Sequence, residues 1–169
     1  MRRNDRAVAT VFEDMRLPLS YPPALALIGM LQLAALTACG DNQDEDGARA
    51  LLAKVQQQNY RSWDRAPGYE ARRPTSAPHG KEVDIYVNDV VHDATLASGL
   101  SSWPLDSIIV KDGWDGADLE IIAIMQKRSD GWYWAEYDSD GDPDFSGHPE
   151  TCIDCHASGS DYVRAFRLP

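Results

Sequence analysis

The segment Cys152-Ile153-Asp154-Cys155-His156 constrains this chain more than any other stretch. Two thiols three residues apart on one helical turn can each add to a haem vinyl group. The imidazole of the next residue then lies under the iron as its proximal ligand. Haem held in this way becomes part of the core, so the fold must be built around it. Three other readings compete. A structural disulfide leaves His156 unexplained. A thioredoxin-like redox pair belongs near a βαβ unit, and the sequence has none. A zinc site needs about four ligands, and outside the motif the histidines are His79, His92 and His148.

The motif's position adds a second constraint. Only 13 residues follow His156, and they contain neither Met nor His. Small electron-transfer cytochromes carry the motif near the start, with a methionine ligand far downstream. That arrangement is impossible here. A sixth iron ligand would have to come from upstream, from His79, His92, Met125, His148 or Lys111. The simpler expectation is a five-coordinate iron with an open face, which suits small-molecule binding or redox chemistry on a bound molecule.

Covalent haem attachment takes place outside the cytoplasm, and the N-terminus provides an export address. Residues 24–38 (ALALIGMLQLAALTA) form an uncharged apolar run. It is shorter than the roughly 20 residues of a spanning helix and has the length of a signal-peptide core. The run ends Leu36-Thr37-Ala38-Cys39-Gly40, which resembles a bacterial lipoprotein box. Cys39 would then be the lipidated first residue of the mature chain. An ordinary secretory signal with a stray cysteine is the alternative. Met15, just before Arg16, offers a second candidate start. Gly40, rather than an aspartate, after Cys39 favours the outer membrane. The expected organisation is a signal peptide over 1–38, an acidic tether over 39–47 and one haem c domain over 48–169. Lys+Arg number 16 against 27 Asp+Glu, a formal net charge of −11 that repels phosphate backbones and argues against nucleic acid as a partner.

The domain reads as α+β. Strong helix formers and Leu51, Leu52 and Val55 predict a helix over 48–58. Prolines and glycines make 65–80 a loop. Residues 82–88 alternate: Val83, Ile85 and Val87 on one face, Glu82, Asp84 and Tyr86 on the other. A helix over 89–98 follows, capped by Asn88 or Asp89. Residues 107–111, 119–127 and the aromatic 132–137 are further strands, with a turn at 129–131. Short gaps favour an antiparallel meander of about four to five strands, with short helices and a C-terminal haem-attachment segment. So many strands exclude the four-helix cytochromes c′, which also carry a C-terminal motif.

In order along the chain come EVDIYVN (82–88), Trp103-Pro104 leading into SIIVKD (107–112), the strand ending Met125-Gln126-Lys127, the aromatic strand 132–137, the haem motif and Ser160-Asp161-Tyr162-Val163. From about Tyr60 to the end, this order resembles the cytochrome P-460 family, which includes the β-sheet cytochromes c′-β. The resemblance implies a homodimer with a five-coordinate haem against the sheet. It also implies a small nitrogen compound such as hydroxylamine as substrate and a periplasmic electron acceptor. In the hydroxylamine-oxidising members a strand lysine bonds covalently to the haem ring, and Lys111 falls at the matching place. These enzymes move protons with a distal carboxylate, for which Glu120 is the candidate. Members without the cross-link bind nitric oxide or carbon monoxide, which is the alternative function.

Lys111 also reads as a strand-end lysine with its amine in water, and Glu120 as an exposed glutamate at a strand start. Both faces of strand 119–127 are apolar, so alternation does not decide which faces the haem. Trp103, Trp114, Trp132 and Trp134 suit either core packing or a haem pocket. The acidic run 138–144 fails the EF-hand pattern, because Pro143 and Pro149 stand where glycine and glutamate are required. It reads as a solvated turn.

Overall fold

The computed structural model describes residues 44–76 and 78–169. The signal segment, Cys39 and residues 40–43 of the tether lie outside the described residues. The first element is helix α1 (Glu45–Gln57), which begins inside the stretch expected to be tether. Asp44 caps it by accepting from the backbone N–H of Gly47, a contact worth about 1 kcal/mol. The Asp44 backbone N–H donates to Ser146 Oγ at 2.7 Å, and Tyr133 donates its hydroxyl to the Asp44 carbonyl at 3.0 Å. These long-range bonds tie the end of the acidic segment to the domain.

A single 3₁₀ turn (Tyr60–Ser62) leads to two short strands, β1 (Asp64–Arg65) and β2 (Arg73–Pro74). Then follow β3 (Glu82–Val87), α2 (Asp89–Leu96), β4 (Ile108–Asp115), β5 (Asp118–Arg128), β6 (Gly131–Asp138), β7 (Pro143–Gly147) and α3 (Glu150–His156). The class is α+β. The sheet is wholly antiparallel and has seven strands, more than the sequence suggests, in the order β1-β3-β4-β5-β6-β7. β1 and β2 each cover part of β3, pairing Asp64 with Val87 and Arg73 with Val83. They are the extra strands inside the Pro/Gly-rich loop. β7 is a further extra strand, which begins at the end of the acidic run.

Both faces of the sheet are covered, which explains why β5 is apolar on both sides. On one face, Leu51, Leu52 and Val55 of α1 pack with Tyr86, Val110, Ile122, Ile124 and Tyr137. Burying each leucine contributes about 1.5–3 kcal/mol. Tyr137 donates to the Ala48 carbonyl at 2.7 Å, which fixes the helix on the sheet. Two buried carboxylates on this face are paired. Asp112 accepts from Tyr60 Oη at 2.8 Å and from Arg61 Nε at 2.7 Å. Asp84 accepts from Arg65 at 2.6 Å and Arg72 at 3.1 Å. Burial, then Asp112, pushes the Tyr60 hydroxyl well above its ordinary value.

The opposite face carries Val83, Ile85 and Val87, Ile109, Met125, and Trp132 and Trp134, packed with Val91 and Ala94 of α2, Trp103, and Val163 and Phe166 of the C-terminal tail. Asn88 caps α2, accepting from Val91 N–H at 3.2 Å. Among the described residues no helix is long and apolar enough to cross a membrane.

Candidate functional site

The second face is not filled. A cavity of about 590 Å³ lies between the sheet and residues 75–76, 78–79, 151–156 and 163–165, within the range of small-molecule and cofactor sites. Strand pairing builds its floor. Ile85 is opposite Lys111, Lys111 opposite Ala123, and Ala123 opposite Glu136. The adjacent row on this face runs Ile109, Met125, Trp134 by the same pairing. Most of this surface is apolar, and Phe145 of β7 closes one side.

Helix α3 supplies the sequence motif to this cavity. Cys152, Cys155 and His156 all line it, and α3 itself buries no residue fully. Positions i, i+3 and i+4 of a helix share one face, so a single turn carries all three groups. The Arg164 guanidinium donates to Cys155 Sγ at 3.1 Å. The His156 ring meets Trp134 edge-on at 4.6 Å between centroids. Its Nδ1 lies 2.9 Å from the Tyr162 carbonyl oxygen. That bond makes Nδ1 the protonated nitrogen and leaves the Nε2 lone pair for another partner. Burial lowers the His156 pKa to about 4, against the Tyr162 contact, and Lys111 and His79 push it further down. The imidazole is therefore neutral at physiological pH, as a metal ligand must be.

Tyr162 holds its carbonyl there through an uncommon backbone. Asp161 and Tyr162 have φ of 45° and 67°, left-handed values that cost non-glycine residues about 1–3 kcal/mol each. Gly159 sits against the turn, where a Cβ would come within 2.6 Å of the Val163 carbonyl group.

Lys111, His79 and Glu136 also line the cavity. Lys111 is partly buried and, among the described residues, makes no ion pair or hydrogen bond. Burial lowers its amine below the ordinary value, against the attraction of Glu136. His79 Nδ1 lies 2.5 Å from Glu136 Oε2. The contact lacks the direction of a hydrogen bond, so among the described residues this buried nitrogen has no hydrogen-bond partner. His79 reaches the cavity because its backbone crosses β4 at Gly113, where a Cβ would meet the His79 carbonyl oxygen at 2.3 Å.

The structure thus brings Lys111, Cys152, Cys155 and His156 together. It does not bring Glu120. That residue is exposed at the start of β5 and shares the parity of Ile122 and Ile124, which face α1. Glu136 is the carboxylate in the cavity. Its parity with Trp132 and Trp134 was the readable signal. Of the alternative iron ligands, His79, Met125 and Lys111 line the cavity. His92 lies 3.3 Å from Asp64 and His148 3.4 Å from Asp130, and neither lines it. Trp134 is a cavity wall, whereas Trp114 lies under Arg72, 3.9 Å from ring centroid to guanidinium.

These residues fit a c-type haem. Two thiols and a neutral imidazole with one committed nitrogen open from one helical turn onto a largely apolar hollow of suitable volume. Among the described residues, no group of three or more His, Cys, Asp or Glu is gathered to hold a metal ion by itself. The run 138–144 has a structural role: Asp138 accepts from the backbone N–H groups of Asp140 and Asp142, and Asp142 pairs with Arg49. No protein-family model matches the chain, and no curated protein matches it.

Proposed function

We propose that this is an exported mono-haem c-type cytochrome of the P-460 kind, anchored through Cys39, that oxidises a small nitrogen compound such as hydroxylamine. One observation carries the reading: Cys152, Cys155 and His156 open together onto a cavity whose floor also holds an unpaired lysine and a carboxylate. A haem bound there would supply a redox-active iron. Cys152 and Cys155 would hold the macrocycle through thioethers, and His156 would hold the iron through Nε2. Lys111, with an amine that burial biases toward its neutral, nucleophilic form, is the residue for a third covalent attachment, in which an Nζ–carbon bond would replace a ring C–H and two electrons and two protons would pass to an added oxidant of the peroxide class. Oxidation of hydroxylamine releases protons, and Glu136 beside His79 is placed to accept them. Electrons would leave to a periplasmic acceptor, and the active form would be a homodimer.

The test is expression with the haem-attachment machinery, followed by a haem stain of denatured protein and mass spectrometry of the haem peptide. A stained band lost in Cys152→Ser/Cys155→Ser is expected, with a third attachment at Lys111 and turnover of hydroxylamine by an added acceptor. A colourless wild type would remove the haem reading. The apolar floor of Ile85, Ile109, Met125 and Trp134 favours a second reading, a protein that binds nitric oxide or carbon monoxide without turnover. Two thioethers only, tight binding of either gas and no oxidation of hydroxylamine would select it.

A further inference from the structure

We infer that the Lys127–Asp161 ion pair is a positioning device for His156, acting through the backbone of the turn between them. The inference rests on the reading of His156 as the axial ligand. The tail from 157 to 163 has to aim one carbonyl, that of Tyr162, at His156 Nδ1, 2.9 Å away. The backbone that does so is unfavourable on its own, since two successive non-glycine residues are left-handed. Something outside the turn must hold it.

The holding groups all come from the sheet side of the domain. Lys127 Nζ donates to both carboxylate oxygens of Asp161, each at 2.9 Å. The Trp103 backbone N–H donates to Asp161 Oδ2 at 2.8 Å. The Trp132 indole N–H donates to the Asp161 carbonyl at 2.8 Å, and the Trp103 indole N–H to the Ser160 carbonyl at 3.1 Å. Ser160 and Val163 close the turn with reciprocal backbone bonds of 2.9 and 3.2 Å. The ion pair is largely out of water, with Lys127 and Asp161 side chains 16% and 13% exposed. It is therefore screened less than a surface pair. The Tyr162 carbonyl is thus anchored to β5, β6 and the Trp103 segment rather than held by the tail alone. Asp161 does not touch His156. It fixes the acceptor that decides which ring nitrogen carries the proton and which faces the cavity.

The experiment uses the full chain in two states. In the haem-free chain, ¹⁵N NMR of the His156 ring reads the tautomer. The wild type is expected as the Nδ1–H form. Asp161→Ala should lower the ratio of Nδ1–H to Nε2–H forms roughly tenfold, the worth of about one net hydrogen bond. Asp161→Asn keeps an acceptor for Trp103 and tolerates the left-handed backbone, so it should fall between. If Asp161→Ala does not fold, Lys127→Gln keeps the three tryptophan hydrogen bonds to Ser160 and Asp161, loses the ammonium over the Trp132 ring, and repeats the test. In the haem-loaded chain, loss of the Tyr162 contact should lower the iron–histidine stretching frequency and move the reduction potential to more positive values. A purely structural clamp would lower stability and move none of these readouts. Identical ring ¹⁵N shifts in wild type and variants, or a wild type in the Nε2–H form, would overturn the positioning role even if the protein carries haem. A colourless wild type whose tautomer still responds to Asp161 would instead overturn the haem reading and the axial part of the inference.

Discussion

Replacing Lys111 by methionine should stabilise the haem-free domain at neutral pH. Lys111 sits in the middle of β4 between Ile85 and Ala123, and its amine has no ion pair or hydrogen bond among the described residues. An unsatisfied buried polar group costs about 1–3 kcal/mol. The amine opens onto the cavity, which places it at the low end, about 1 kcal/mol. Methionine has a similar length, and volume-conserving apolar swaps are tolerated well. The net gain is about 1 kcal/mol, or about 4 °C in Tm for a domain of this size. The pH dependence separates this cause from simple packing. The folded-state pKa is lowered from 10.5 by burial, so between the folded value and 10.5 the unfolded chain binds more protons. Wild-type stability must then rise with pH across that window. Urea titrations at neutral pH and near pH 10 should show the advantage of Lys111→Met shrinking as the pH rises. A variant less stable than wild type at neutral pH, or an advantage unchanged near pH 10, would refute the reasoning.

Asp112→Ala should cost about 3 kcal/mol in a thermal or urea melt, because it strands the buried Tyr60 hydroxyl and frees Arg61; a loss under 1 kcal/mol would show that water replaces the carboxylate. The haem-free chain should lose stability as pH falls from about 6.5 through about 4, since the folded state disfavours protonation of His156 and the unfolded state does not. Denaturant midpoints across that range, compared between wild type and His156→Gln, isolate the contribution, which should vanish in the variant. Gly113→Ala places a methyl group against the His79 carbonyl, so it should cost about 1–3 kcal/mol and shift the His79 ring resonances, whereas Gly99→Ala, with open space around it, should leave those resonances in place.

The long strands and the two cavity-side thiols were legible because their signals are local. Alternation over 82–88 and the spacing of Cys152, Cys155 and His156 need no knowledge of the rest of the chain. β1, β2 and β7 were not legible for the opposite reason. Asp64–Arg65 and Arg73–Pro74 have no strand character of their own and extend only because β3 offers them an edge. Pro143 and Gly147 punctuate a segment that the rest of β6 recruits. The same logic separates Glu136 from Glu120. Glu136 stands in an aromatic run where a carboxylate reads as the solvent side, until its phase with Trp132 and Trp134 is counted. Glu120 lies on the phase of Ile122 and Ile124, and only the placement of α1 shows that this phase faces away from the cavity. The buried charges Asp84 and Asp112 depend on arginines 12 to 51 residues away, beyond any local pattern.

The two sides of the sheet carry separate sets of buried side chains. The side under α1 is sealed by aromatic hydroxyls and paired carboxylates. The other is hollow and sets what the molecule can take in. Residues lining the hollow can therefore drift, trading a lysine for an aliphatic group or a carboxylate for a phenyl ring, with small consequences for folding. Such a layout lets the lining of the cavity change by a few replacements on a single side while the sealed side keeps its packing.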